Sequence, residues 1–447
     1  MKITRYANAF LSIKKKKINL ICDPWIGMAN YGGWLSYPII EKGDRLLKKI
    51  APTHIYISHI HSDHLDETLL STSLKKDILN KNIPIYIKNF KYKTLYKKIK
   101  KLGFTNIIEL EPFQIVNLDG NLQIAIIPTD VTNSSNLQDD INYDIDTSIV
   151  IYSKKDNLLF YNNVDSPITL NGLKKLTSFT KKNFNKKQFD LACFSVGAAS
   201  EYPQCFLNID REKAKNSIVK SAKKDFIEKL DVLGNKNYFF SGGAYIIPGK
   251  FHKLNQYIAQ PMLQELKKLL PKTKRCKHMF ELDGGESIQY KDGQWIKVKN
   301  KPLKERYKTK KEAINKYKEM KYLYTIDTIA YNQNQINLLF KKSLQNYLQS
   351  LQSISINWCV TFQLYNDLHI NNKLLIKKSI KPLHSLVLGN KQASYKLTCH
   401  LDYKLFIGLL EKKYNWNISL SGSIILFERE PNIFLPNITM SLNYLTI

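Results

Sequence analysis

Arginine is scarce in this 447-residue chain: only six of its 68 basic residues are arginine, although the formal net charge is +30. Guanidinium makes the forked contacts to phosphate and guanine that nucleic-acid readers rely on. Its scarcity, with lysine spread through 14–17, 91–101, 181–187 and 298–321, argues against nucleic acid and for a solvated lysine surface that would also favour a small anionic substrate. Cysteine is sparse too. The six, at 22, 193, 205, 276, 359 and 399, show no paired spacing and read as reduced, buried thiols of a cytoplasmic protein. No apolar run approaches the roughly 18 residues that span a bilayer, and Met1–Phe10 lacks the apolar core of a signal peptide. What remains is a chain with 43% hydrophobic and 11% aromatic residues, long enough for a large core and two domains.

Histidine is rare as well, with nine in all, yet four fall between positions 54 and 64. The apolar run Ile55-Tyr-Ile57 reads as a buried strand, followed at once by Ser58-His-Ile-His-Ser-Asp-His64. Imidazole and carboxylate are ligands that zinc, iron and manganese accept. On such a strand-to-loop turn His59 and His61 can grip one cation, while Asp63 and His64 face a second. Further on, the strand Leu158-Leu-Phe-Tyr161 delivers Asp165 just before Ser166-Pro167. An aspartate there also suits the N-cap of a helix beginning at Pro167. Strand-like runs at 9–13, 18–22, 85–88, 107–110, 122–127, 147–152 and 157–161 alternate with helical stretches at 39–50, 65–79, 91–102, 167–181 and 210–233, as a layered α/β fold requires.

The segment His59-Ile-His-Ser-Asp-His64 carries the His-x-His-x-Asp-His signature, and the chain resembles the metallo-β-lactamase superfamily. That likeness implies an αββα sandwich with one or two metals at one edge. It also implies roles: Asp23 holds the metal loop by hydrogen bonds, Asp165 bridges the cations, and His252, on the loop Ile246-Ile-Pro-Gly-Lys-Phe-His252, completes the second site. Asp23-Pro-Trp25, Gly32-Gly-Trp34, Asp146-Thr147, Asn163-Val-Asp165 and Gly197-Ala-Ala-Ser200 sharpen the resemblance to the metallo-β-lactamase-like part of CMP-N-acetylneuraminate hydroxylases. Two departures stand out. A Rieske iron–sulfur module needs Cys-x-His together with Cys-x-x-His; that combination is missing, and Cys399-His400 is an isolated dipeptide. The family's third histidine on the first metal has no counterpart either, because no histidine lies between 64 and 252. Asp144 or Asp146 is the expected substitute, and oxygen in place of imidazole tilts the preference from zinc toward iron or manganese.

The expected organisation is a metallo-β-lactamase-like domain over 1–290, a helical connector over 291–330 and an α+β accessory domain over 331–447. In the last, a helix is expected at 332–350, strands at 356–362, 373–377, 394–398, 418–427 and 439–447, and a helix at 401–413. His369, His384 and His400 read as structural. The resemblance implies a metal-dependent hydrolase of an ester, amide or phosphodiester bond in a nucleotide-linked or amino-sugar substrate. One or two divalent cations, zinc first among them, would activate water, with Asp63 assisting proton transfer. The alternative is one component of a split monooxygenase whose electrons come from a separate Rieske or other redox partner. A nuclease ranks third, for want of arginine and stacking clusters.

Overall fold

The computed structural model describes residues 1–447 except 41, 131–145, 299–308, 329, 353–355, 372 and 377–379. Two sheets face each other. The first runs, in spatial order, Gln294–Val298, Glu286–Lys291, Lys2–Ala7, Phe10–Lys15, Ile18–Cys22, His54–Tyr56, Ile85–Lys88 and Ile107–Leu110. The second runs His278–Phe280, Asn237–Phe240, Leu191–Phe194, Leu158–Asn162, Thr147–Ser153, Leu122–Pro128 and Ile115–Asn117. Period-2 alternation explains the layering. Ile124 and Ile126 meet Leu11, Leu20 and Tyr56 between the sheets, whereas Ala125 and Ile127 point outward to Leu173 and Leu176 of the helix Leu170–Phe184. On the other side Ile21, Ile55 and Ile57 pack outward against Leu47, Leu70 and Ile99 from the helices Gly43–Ile50, Glu67–Lys75 and Thr94–Lys101. With apolar residues on both faces, these strands read as near-continuous hydrophobic runs. The result is the αββα sandwich of the metallo-β-lactamase fold.

The C-terminal part, from Gln333 onward, is an α+β unit. A four-stranded sheet, His384–Gly389, Trp358–Tyr365, Tyr395–Asp402 and Leu426–Glu430, carries the helices Gln333–Ser350 and Tyr403–Leu410. Its core does not stop at the sandwich. Phe362, Phe406 and Trp416 share one buried cluster with Trp25, Trp34, Phe206, Tyr245 and Phe251. The Gly- and aromatic-rich segment after Trp25 is the packing surface. Trp34 stacks on Tyr245 at 4.0 Å between ring centres and donates through Nε1 to Ser423 Oγ at 3.0 Å. A Cβ on Gly33 would lie 1.8 Å from the Gly422 carbonyl oxygen, so no other residue fits there without movement.

Several expectations need correction. The boundary expected at 290 falls inside the hairpin Glu286–Lys291/Gln294–Val298, which belongs to the first sheet. The run 418–427 starts as the helix Trp416–Ser421, because the Asn415 side chain caps it by accepting from the Ile418 amide. The run 439–447 is preceded by Pro436, which opens the helix Pro436–Ser441 as proline does at a first helical position. In 373–377 the described residues form only an isolated Ile370–Ile376 bridge. The strand His384–Gly389 carries no signal that singled it out in the sequence.

Candidate metal centre

The strand His54–Tyr56 ends in the sheet interior, and its chain continues straight into Ser58 and His59. A tight turn follows, with the amides of His64 and Leu65 both donating to the His61 carbonyl at 3.0 and 2.9 Å. Asp66 then caps the helix Glu67–Lys75 by accepting from the Leu69 amide at 2.9 Å. The histidines are therefore held between a strand end and a helix start. From the second sheet, Leu158–Asn162 runs into Asn163, Val164 and Asp165. Val164 has φ 58°, a left-handed conformation that a β-branched residue seldom adopts. Its amide is held by Asn162 Oδ1 at 3.1 Å. Such strain persists where neighbours over-determine it, and here it turns Asp165 toward the histidine loop. The helix expected at Pro167 begins at Leu170 with Thr169 as its cap, so Asp165 does not serve as an N-cap.

Among the described residues two sets of donors lie within 4.8 Å of one another: His59, His61 and Asp146, and His59, His64 and Asp165. His59 Nε2 lies 3.0 Å from His61 Nδ1 and 3.7 Å from Asp146 Oδ1. His64 Nε2 lies 3.1 Å from Asp165 Oδ2 and 3.4 Å from Asp63 Oδ2. Asp23, fully buried, ties the loop together. It accepts from the Ser58 amide at 2.7 Å through Oδ1, and its Oδ2 lies 2.7 Å from Ser58 Oγ and 3.0 Å from His64 Nδ1. Ser58 Oγ in turn sits 2.9 Å from His59 Nδ1. With Ser58 donating to Asp23, the network assigns the proton of both His59 and His64 to Nδ1 and leaves Nε2 facing inward. Thr147 adds a strut from the second sheet, donating to the Ser58 carbonyl at 2.7 Å.

The electrostatics fit a cation. Burial holds the His59 and His61 imidazoles below the ordinary histidine value, which keeps them in the neutral, ligating form. Burial alone would lower His64 too, but the Asp165 and Asp63 charges and hydrogen bonds to Asp165 and Asp23 raise it well above the usual value. Asp165 and Asp63 are pushed up by burial and pulled down further by His64, so both fall below the usual carboxylate range. Burial, then the neighbouring Asp165 charge, push Asp146 up to about 7. Four carboxylates thus crowd three imidazoles. A divalent cation would displace the His64 proton and relieve that crowding. Two buried atoms, His61 Nε2 and Asp165 Oδ1, have no hydrogen-bond partner among the described residues. Orphaned lone pairs in such a donor set suit a metal, as an unmet polar atom otherwise costs stability.

The structure does not bring His252 to this cluster. It lies in the short helical segment Gly249–Tyr257, its Nδ1 is bound to the Gly249 carbonyl at 2.9 Å, and it lines a different cavity with Lys250, Tyr322, His369 and Asp402. The physical reason is local: the segment folds back under the C-terminal unit, with Phe251 buried against Tyr322. Asp144 lies outside the described residues; Asp146 is the carboxylate placed beside His59 and His61. Ser58 and Thr147 carry no signal in the sequence beyond adjacency to His59 and Asp146. Cys276-Lys-His278 is one half of a Rieske spacing. No Cys-x-x-His complements it, and Cys276 is buried against Asn235.

No family model matches the chain. In sequence it is similar to the cytidine monophosphate-N-acetylneuraminic acid hydroxylase of Xenopus laevis, 29% identical over 238 residues that cover 51% of this chain and 34% of that protein. It is also similar to a Rieske 2Fe-2S iron-sulfur protein of Mycolicibacterium smegmatis, 27% identical over 110 residues, 24% of this chain and 20% of the relative. In structure it is similar to an isothiocyanate hydrolase from Delia radicum gut bacteria, with TM-score 0.43 and 16% identity, covering 65% of this chain and 99% of that one. The chain spans about a fifth to a third of the length of these two curated relatives. It has the metallo-β-lactamase fold and resembles in sequence, over about half of its length, a CMP-N-acetylneuraminate hydroxylase.

Proposed function

We propose that this is a metal-dependent hydrolase acting on an ester, amide or phosphodiester bond of a nucleotide-linked or amino-sugar compound. The observation that carries the reading is the convergence of His59, His61 and Asp146 with His64 and Asp165 at one sandwich edge. His59, His61 and Asp146 would hold one cation; His64, Asp165 and Asp63 would hold the other. Bound cations supply the Lewis acidity that brings the pKa of water toward neutrality and steadies developing negative charge. The rest falls to the chain. Asp23 and Ser58 fix the ring orientations, and Thr147 braces the loop against the second sheet. Asp63, beside His64 Nε2, is ionised and placed to accept a proton. The ligand set contains more oxygen than a three-histidine site, which favours iron or manganese alongside zinc.

Hydrolysis is preferred because it consumes only water. Hydroxylation needs electrons, and the paired cysteine–histidine spacings of a Rieske centre do not occur together in these residues. The relatives nonetheless favour a second reading: this chain as the metal-bearing component of a sugar monooxygenase served by a separate Rieske donor. One assay separates the two. Protein loaded with zinc, manganese or iron is offered a panel of esters, amides and phosphodiesters, and in parallel oxygen with a reduced Rieske donor. Turnover of the panel that His61→Ala abolishes supports the hydrolase. Oxygen uptake that needs the donor supports the second reading. Wild type and His61→Ala behaving alike in both contradicts the metal centre itself.

A further inference from the structure

A cavity of about 360 Å³ opens beside the metal-ligand cluster, with Asp165 in its wall. It lies where the parallel strands Leu158–Asn162 and Leu191–Phe194 end, the place where open α/β sheets take their ligands. Ile218, Ser221, Asp225 and Lys229 line it from one face of the helix Arg211–Leu233, at the three-and-four spacing of a helical stripe. The floor is Phe194. At the low end of ligand-pocket sizes, about 300–1,000 Å³, this space suits one ring and its substituents.

Two polar groups in this wall have no hydrogen-bond partner among the described residues. Lys229 makes no hydrogen bond or ion pair with any described residue; its ammonium stands 6.0 Å over the Phe194 ring. Burial lowers the ammonium below its usual value and outweighs the opposing charge of Asp225, which is one turn earlier and exposed. Ser166 is only 2% exposed, and its hydroxyl is buried without a partner. Lysines are everywhere on this surface, but a part-buried ammonium over an aromatic floor, in the wall of the same cavity as an orphaned hydroxyl, is a different case. Unpaired charge and unmet polar atoms cost stability unless a ligand meets them.

We propose that Lys229 and Ser166 form an oxyanion-recognition end of this cavity, and that the compound it takes carries a carboxylate or phosphate group. The proposal rests on the reading that Asp165 belongs to the metal centre, since that places the anion beside the reacting bond. Calorimetric titration of the metal-loaded protein tests it, with three probes: N-acetylneuraminate, its neutral methyl ester, and inorganic phosphate. At least one anion should bind the wild type, and which one separates carboxylate from phosphate. Lys229→Met should weaken that binding by about tenfold or more, the worth of a charge-assisted hydrogen bond, while Lys229→Arg keeps it and so excludes misfolding. Ser166→Ala should cost about threefold. The methyl ester should bind wild type and Lys229→Met alike. Equal anion binding by wild type and Lys229→Met overturns the proposal, and so does a wild type that binds neither anion. Repeating the titration with His61→Ala keeps the two readings apart. Anion binding that depends on Lys229 in both proteins, with a wild type that hydrolyses none of the panel, leaves the anion site standing while the hydrolase falls.

Discussion

Two histidine-bearing segments of this chain met opposite fates. His59, His61 and His64 follow a buried strand and are locked by Asp23, Ser58 and the Glu67–Lys75 helix into one cluster with Asp146 and Asp165. His252 sits in a turn of similar polarity, but its ring nitrogen is used by the Gly249 carbonyl and its neighbours belong to the C-terminal unit. The difference lies in the scaffold. A histidine becomes a candidate ligand when a strand end aims it and a second polar group fixes its tautomer. A lone histidine on a loop takes whatever partner the local fold offers.

The comparison can be broken at its strong end first. His61→Ala removes a donor with no other hydrogen-bonded task at Nε2, and should lower cation affinity by about 100-fold or more, read by metal content after gel filtration. Asp23→Asn keeps shape but loses the charge that orients His59 and His64. Such outer partners are worth about 10–100-fold in metal affinity, measured by competition with a chelator. Retained affinity there would mean that the Asp23 network is packing only.

A third histidine sharpens the contrast by acid titration. His400 is buried, and burial lowers its pKa to about 4 from an ordinary 6.5. The unfolded chain therefore takes up a proton that the folded one resists. Stability is complete above about pH 6.5 and declines as pH falls toward 4, by up to about 3 kcal/mol at 1.36 kcal/mol per unit. Glu428 Oε1, 3.4 Å from His400 Nε2, works against the shift and makes that figure an upper limit. Denaturant melts at pH 7 and pH 5 should show a smaller acid loss for His400→Gln than for wild type; equal losses would refute it. Smallest of all, His252→Ala should leave metal content unchanged. A fall matching that of His61→Ala would restore His252 to the centre.

The sequence made the centre legible where chemistry is local. Four ligand-type residues within six positions after an apolar run announce themselves, and Asp165 follows from a strand end. The sandwich was legible for a similar reason: Leu122–Pro128 holds the unbroken apolar run Ile124–Ile127 and Thr147–Ser153 the run Ile149–Ile151, as strands covered on both faces do. The C-terminal unit was harder. Ile418-Ser-Leu-Ser421 alternates apolar and small polar residues as a strand does, yet it forms a capped helix and only Leu426–Glu430 is a strand, because the Asn415 cap outweighs a short period-2 pattern. The aromatic segment around Trp34 gave no hint that its partner lies some 390 positions away at Ser423, because such contacts are long-range packing.

Metal content of protein purified without added metal, compared between wild type and His61→Ala by elemental analysis, tests the central claim most directly. The account predicts one or two equivalents of zinc, iron or manganese in the wild type and a loss of at least one in the variant. A wild type that carries no such metal and acquires none on incubation with the three cations, or a variant that carries as much, would contradict it.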